Sequence, residues 1–201
     1  MVTNLLGLIL AGGEGSRAGG ADKGLLIWQG QPLAARVAAA LSSNCQGLII
    51  SCNRHLDEYR SITSKCFTDQ LSNLPIPHHQ ASVQGPLAGI YTAWQHYPDS
   101  CFLISPCDTP KLSPLYAERM TEGLNSGSCD KITRIAWDGE RKQYLHCLVG
   151  PAAFPLLRKY LISGQRNVRG WLDSMEPELT DFSDHPELFT NINTLEQLND
   201  L

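Results

Sequence analysis

The chain has 201 residues, 42% of them hydrophobic and 18% charged, with a formal net charge of −4. This suits a folded soluble protein of one domain with a full core, or one domain with a small elaboration. The acidic balance and the lack of a basic block argue against a dedicated nucleic-acid binder, whereas a protein that handles polyphosphates needs only a few cations and backbone N–H donors in the right place.

Leu5-Leu6-Gly7-Leu8-Ile9-Leu10 is a short apolar run ending in glycines, the pattern of a strand buried on both faces of a parallel sheet. It is too short to span a bilayer and has no charged start, so neither membrane insertion nor export is expected. The glycine-rich stretch Ala11 to Gly20 follows. Pro32 then opens an alanine-rich helix through Leu41, and Gly47 to Ser51 forms the next strand. Strand, glycine loop, helix, strand is the opening of a βαβ unit. A short helix around Tyr59 and a brief strand Lys65–Asp69 come next, then a loop from Leu71 to Gln84 that holds His78 and His79. Gly85 opens a helix to about Tyr97, and Cys101–Ser105 reads as a second central strand, stopping at Pro106-Cys107-Asp108-Thr109-Pro110.

Beyond residue 110 the spacing predicts a helix over 113–124 and paired strands 131–137 and 144–149 across Asp138-Gly139-Glu140. Helices over 151–162 and 167–175, a last strand 189–192 and a terminal helix from Thr194 complete the reading. The expected fold is α/β, a Rossmann-like three-layer α/β/α sandwich with a mostly parallel central sheet. A single domain over 1–201 is expected, with 1–110 carrying the α/β alternation and 111–201 a looser second part. The seven cysteines are odd in number and form no CxxC pair, so reduced thiols in the cytoplasm are expected rather than a disulfide framework or a zinc ribbon.

Two features carry chemistry. The first is the loop from Leu10 to Lys23, where glycines let the backbone approach a ligand and where Arg17 and Lys23 add positive charge. It is not a P-loop, because no Gly-x-x-x-x-Gly-Lys-Ser/Thr string occurs. Gly13-Glu14-Gly15-Ser16-Arg17-Ala18 fits a relaxed dinucleotide fingerprint, but the second strand exits through Ser51-Cys52-Asn53-Arg54 without the ribose-binding acid which that motif requires. The second feature is Asp108, at the end of an apolar strand, where a carboxylate needs a cation or hydrogen bonds. It reads either as a metal ligand facing the glycine loop across the sheet edge or as a helix cap.

Leu10-Ala11-Gly12-Gly13, then Arg17, then Gly20-Ala21-Asp22-Lys23, resembles the Leu-Ala-Gly-Gly-x-x-x-Arg-Met-Gly-x-x-Asp-Lys signature of molybdenum cofactor guanylyltransferases, the MobA family. Gly85-Pro86-Leu87-Ala88-Gly89, Pro106-Cys107-Asp108-Thr109-Pro110 and Asn191-Ile192-Asn193-Thr194-Leu195-Glu196 agree with it over nearly the whole chain. The resemblance implies transfer of GMP from GTP to the phosphate of molybdopterin or Mo-molybdopterin, with release of pyrophosphate. It implies nucleotide contacts from Leu10, Ala11, Gly12 and Gly13, phosphate contacts from Lys23 with Arg17 as a further candidate, guanine recognition at Asp69, and Mg2+ and GTP at Asp108. Asn191 and Asn193 would lie toward the pterin, and molybdoenzyme chaperones or cofactor-insertion proteins would be partners. Three positions depart from the pattern. Ala18 replaces a methionine, Ser51 an asparagine with Asn53 close by, and Gln143-Tyr144 a His-Pro or Gln-Pro pair. The alternatives are a sugar-phosphate or CTP-dependent nucleotidyltransferase and a non-catalytic GTP-binding module.

Overall fold

The structure, a computed structural model, describes residues 4–13, 22–76, 85–125, 129–192 and 197–198. Strand β1 (Leu5–Leu10) lies at the centre of a sheet, with β4 (Gly47–Ser51) and β6 (Cys101–Pro106) parallel on either side. Before β4 come the two-residue strands β2 (Ile27–Trp28) and β3 (Gln31–Pro32), and β5 (Cys66–Phe67) pairs parallel with β4. Strands β7 (Thr133–Trp137), β8 (Lys142–Val149) and β9 (Glu178–Asp181) complete the seven-stranded order β5-β4-β1-β6-β8-β7-β9. Within that sheet β8 alone runs against its neighbours, so the sheet is mostly parallel, as expected.

The alternation of side chains along the strands divides the core into two layers. From β1, Leu5 and Ile9 face α1 (Leu33–Ser42), together with Tyr116, Ala117 and Met120 of α4 (Pro114–Met120). Leu6 and Leu8 face α3 (Pro86–His96), α5 (Ala153–Ile162) and Trp171 and Leu172 of α6 (Val168–Asp173). Gly7 lets α1 come close, since a Cβ there would stand 2.7 Å from Leu48 Cδ2 and 3.2 Å from Leu41 Cβ. Each fully buried leucine or isoleucine contributes about 1.5–3 kcal/mol. The fold therefore rests on these two layers, and the short α2 (Leu56–Arg60) and the β2–β3 hairpin are additions at the edge.

Several expectations need correction. No strand forms over 189–192; a 3-10 turn spans Pro186–Phe189, and extended chain follows it. The edge strand is β9 instead, whose largely exposed Glu-Leu-Thr-Asp carries little apolar signal. The helix predicted to reach Leu124 ends at Met120, because the next residues turn toward Gly123, which has a φ of +71°. The β2–β3 hairpin went unpredicted, with Gln29 and Gly30 both at positive φ as a tight two-residue turn requires. Five cysteines are free, and the sulfurs of Cys101 and Cys129 stand side by side. Gly150 makes that approach possible, since the main chain at Cys129 and Asp130 packs against it where a side chain would stand. The terminal helix predicted from Thr194 lies largely outside the described residues, as do His78 and His79. Among the described residues no helix is long and apolar enough to cross a membrane.

Candidate functional site

The parallel strands β1, β4 and β6 deliver their carboxyl ends to one edge, the edge at which open α/β sheets bind ligands. β1 ends at Leu10, and Ala11 is still held there by its amide, which donates to the Ser51 carbonyl at 2.8 Å. Gly12 and Gly13 then emerge, half-buried and exposed respectively. Gly12 is squeezed: a Cβ there would stand 2.8 Å from Asn53 Nδ2 and 3.2 Å from Asp69 Oδ2.

Asp69 sits between the glycine turn and the start of α3. Ser51 Oγ donates to its Oδ1 at 2.5 Å and Asn53 Nδ2 to its Oδ2 at 2.9 Å, while the Asp69 amide donates back to Asn53 Oδ1 at 2.9 Å. Burial raises the Asp69 pKa, and the bonds from Ser51 and Asn53 offset part of that rise. Ser51 and Asn53 thus orient one carboxylate together. Gly89 accounts for the Gly85–Gly89 string, because a Cβ there would stand 2.5 Å from Ser51 Oγ and 3.2 Å from Asp69 Oδ1.

The second carboxylate is Asp108, just past β6. Its Oδ2 lies 3.6 Å from Lys23 Nζ, with both side chains largely buried. Burial raises its pKa and the Lys23 ammonium pulls it back down. Its Oδ1 is buried without a hydrogen-bond partner. The capping alternative fails, because the N-cap of α4 is Ser113 and makes no side-chain capping bond. An orphan carboxylate oxygen beside a lysine fits a divalent cation that takes one protein carboxylate and completes its shell with substrate oxygens. Among the described residues no three His, Cys, Asp or Glu side chains gather to hold a metal by themselves.

Lys23 is placed by Asp22, part of the signature quoted above, and by residues that sequence reasoning did not single out. Asp22 caps the 3-10 turn Lys23–Leu25, its Oδ1 accepting from the Gly24 amide at 3.2 Å and from Tyr59 Oη at 2.5 Å. Gly24 leaves no room for a side chain, since Tyr59 Oη fills that space. On the far side, Arg36 stacks over Trp28 at 4.3 Å and its Nε donates to the Pro110 carbonyl at 3.3 Å, joining the hairpin to the Asp108 turn. The only sequence signal for these was the adjacency of Asp22 to Lys23; the reach of Tyr59 and Arg36 is a product of the fold.

The C-terminal segment returns to the same edge. The Ile192 amide donates to the Asp108 carbonyl at 2.9 Å, and Ile192 is buried with Leu33 and Leu198 against Leu26 and Trp28. Asn191, exposed, stands next to this anchor, while Asn193 and Arg17 lie outside the described residues. β8 runs antiparallel to β6 with Ile104 opposite Cys147, so Lys142, Gln143 and Tyr144 also lie toward the carboxyl edge. There Tyr144 Oη and Lys142 Nζ both bond Asp173, at 2.9 Å and 2.8 Å. Cys107 is buried and its thiol pKa is raised by that burial, so it is no nucleophile. Trp94 and Trp171 belong to the core.

A family model described as "MobA-like NTP transferase domain" matches residues 7–179. A molybdenum cofactor guanylyltransferase of Pasteurella multocida is 32% identical, covering 98% of this chain and 99% of its own. One of Photobacterium profundum is 35% identical, covering 95% and 92%. The crystal structure of molybdopterin-guanine dinucleotide biosynthesis protein A from Archaeoglobus fulgidus superposes with a TM-score of 0.72 at 20% identity, covering 97% of this chain and 95% of that one. By both the family model and its full-length relatives, this chain belongs to the MobA-like NTP transferase family.

Proposed function

We propose that this chain transfers GMP from GTP to the phosphate of molybdopterin or Mo-molybdopterin, giving the guanine dinucleotide cofactor and pyrophosphate. The observation that carries this reading is the pair Lys23 and Asp108, meeting at the sheet edge beside the glycine turn. Full-length relatives that carry the guanylyltransferase name support the choice of substrates.

No enzyme nucleophile is needed. A phosphate oxygen of the acceptor attacks the α-phosphorus of GTP in line, the bond to the bridging oxygen breaks, and pyrophosphate leaves with that electron pair. The protein's work is positioning and charge neutralisation. Main-chain groups of Leu10, Ala11, Gly12 and Gly13 would contact the nucleotide, and Lys23, with Arg17, would hold the pyrophosphate end. Asp69 would accept from the guanine N1–H and exocyclic amine; each of its oxygens keeps a lone pair beyond the bonds from Ser51 and Asn53. Held by Asp108 and substrate oxygens, Mg2+ would supply charge neutralisation at the phosphates. Asn191 and Asn193 would serve the pterin side, so that residues 1–110 bind nucleotide and 111–201 complete the acceptor site. The setting is cytoplasmic, with molybdoenzyme chaperones or cofactor-insertion proteins as recipients of the product. Titration of the purified chain with GTP, CTP, ATP and UTP, with and without Mg2+, tests the nucleotide half. Selective, magnesium-enhanced GTP binding supports it; preference for CTP or UTP overturns it.

A further inference from the structure

Asn53 and Arg54 leave the end of β4 side by side and hold successive carbonyls of the glycine turn. Asn53 Nδ2 donates to the Gly12 carbonyl at 3.2 Å and Arg54 Nη2 to the Gly13 carbonyl at 3.5 Å. In a trans peptide the C=O and N–H point in opposite directions. A Gly12 carbonyl drawn toward Asn53 therefore turns the Gly13 N–H away from it, and a Cβ at Gly13 would meet nothing within 4 Å. Gly13 is exposed at this point, so its main chain is open to a ligand.

Arg54 also reaches the other stem of the loop. Its Nε lies 3.7 Å from Asp22 Oδ2. Asp22 is itself fixed by Tyr59 Oη and the Gly24 amide, and it immediately precedes Lys23. One guanidinium therefore spans Gly13 and Asp22, the described residues on either side of 14–21. Its rigid planar fork can serve two anchors in different directions, which a single ammonium on a flexible stem does poorly.

We propose that Arg54 is a positioning residue for the transfer. By bracing Gly13 against Asp22 it sets the spacing between the main-chain donors of the glycine turn and the Lys23 ammonium, and so the register in which a triphosphate is held. This inference rests on the reading of the site as a triphosphate cradle. The test uses Arg54→Met and Arg54→Lys in the whole chain, with dissociation constants for GTP and for GMP measured in Mg2+ and thermal unfolding followed alongside. Both variants are expected to weaken GTP by about tenfold or more, the scale of a lost charge-assisted bond, with GMP affinity unchanged. The lysine variant keeps charge and length, and so covers the case in which methionine disturbs the fold. Equal losses for GMP and GTP would reduce Arg54 to a general structural role. Wild-type affinity in Arg54→Lys would make it a simple point charge. Either result overturns the proposal. Failure of the wild-type protein to bind GTP at all would instead overturn the functional reading beneath it.

Discussion

Lys23 Nζ and Asp108 Oδ2 lie 3.6 Å apart, so the cation of the glycine loop and the carboxylate past β6 meet across the sheet's carboxyl edge. The parallel pairing of β1 with β6 brings the glycine turn and the Asp108 turn out at the same level, because Leu10 stands opposite Pro106.

The pair makes Asp108→Asn a sharp test. Turnover should fall by at least ~10²-fold at saturating Mg2+, the scale seen when one electrostatic contact to a transition state is removed. Stability should move the other way. Burial raises the Asp108 pKa, and a raised acid is stabilising while protonated, below the ordinary carboxylate value. That contribution is lost as pH rises through the folded-state value. At neutral pH the ionised Asp108 therefore costs stability, and the asparagine variant should melt higher than wild type, the gap closing under acid conditions. Scanning calorimetry at neutral and acid pH checks the sign; a variant that is both inactive and less stable at neutral pH would show that Asp108 holds the fold.

Much of this arrangement was legible in the sequence. The apolar runs 5–10, 47–51 and 101–105, with glycines and Asp108 at their ends, are buried on both faces and so carry a continuous apolar signal that only a central parallel strand needs. Strand β9 and the two-residue β2 and β3 were not legible, because an exposed edge strand or a two-residue ladder imposes almost no pattern on its residues. In the site, the residues meant to touch ligand stood out through glycine spacing and through charge at strand ends. Those that hold them in place did not. Tyr59 stands in a short helix, and its bond to Asp22 depends on where α2 lands on the sheet. Likewise Ser51 departs from the family pattern, yet it bonds the same carboxylate that Asn53 does.

Base selectivity should reside in Asp69. Asp69→Asn is expected to weaken GTP about 10- to 100-fold, the range for hydrogen bonds to a charged group, and CTP much less. Isothermal titration with both nucleotides decides it, and equal losses would remove Asp69 from guanine recognition.

Gly89→Ala offers a test of the same carboxylate from its opposite side. The new methyl would stand 2.5 Å from Ser51 Oγ and 3.2 Å from Asp69 Oδ1, so Ser51 must swing away and release Asp69. The expected outcome is a GTP-over-CTP preference reduced toward that of Asp69→Asn, with Lys23 and Asp108 left in place. Unchanged preference would mean the Ser51–Asp69 bond does not set the carboxylate's aim.

His146 should govern part of the acid sensitivity. It is buried beneath the Asp108 turn, its Nε2 3.3 Å from Thr109 Oγ1 and its ring against Phe189 and Tyr116. Burial lowers its pKa from 6.5 to about 3. The unfolded chain therefore binds a proton that the native state refuses, and stability present above pH 6.5 is lost as pH falls toward 3, by about 1.4 kcal/mol per pH unit. His146→Leu should lose less stability than wild type between about pH 6.5 and pH 5, a window above the ordinary carboxylate range. Urea unfolding at the two pH values reads this directly, and equal losses in both proteins would contradict a neutral, buried His146.

Guanylyl transfer to a molybdopterin phosphate is read out by pyrophosphate release from the purified chain with GTP and Mg2+, with and without added molybdopterin. Release should require the acceptor, require Mg2+, and not be supported by CTP. GTP binding without acceptor-dependent release would contradict it and leave a nucleotide-binding module in place of an enzyme.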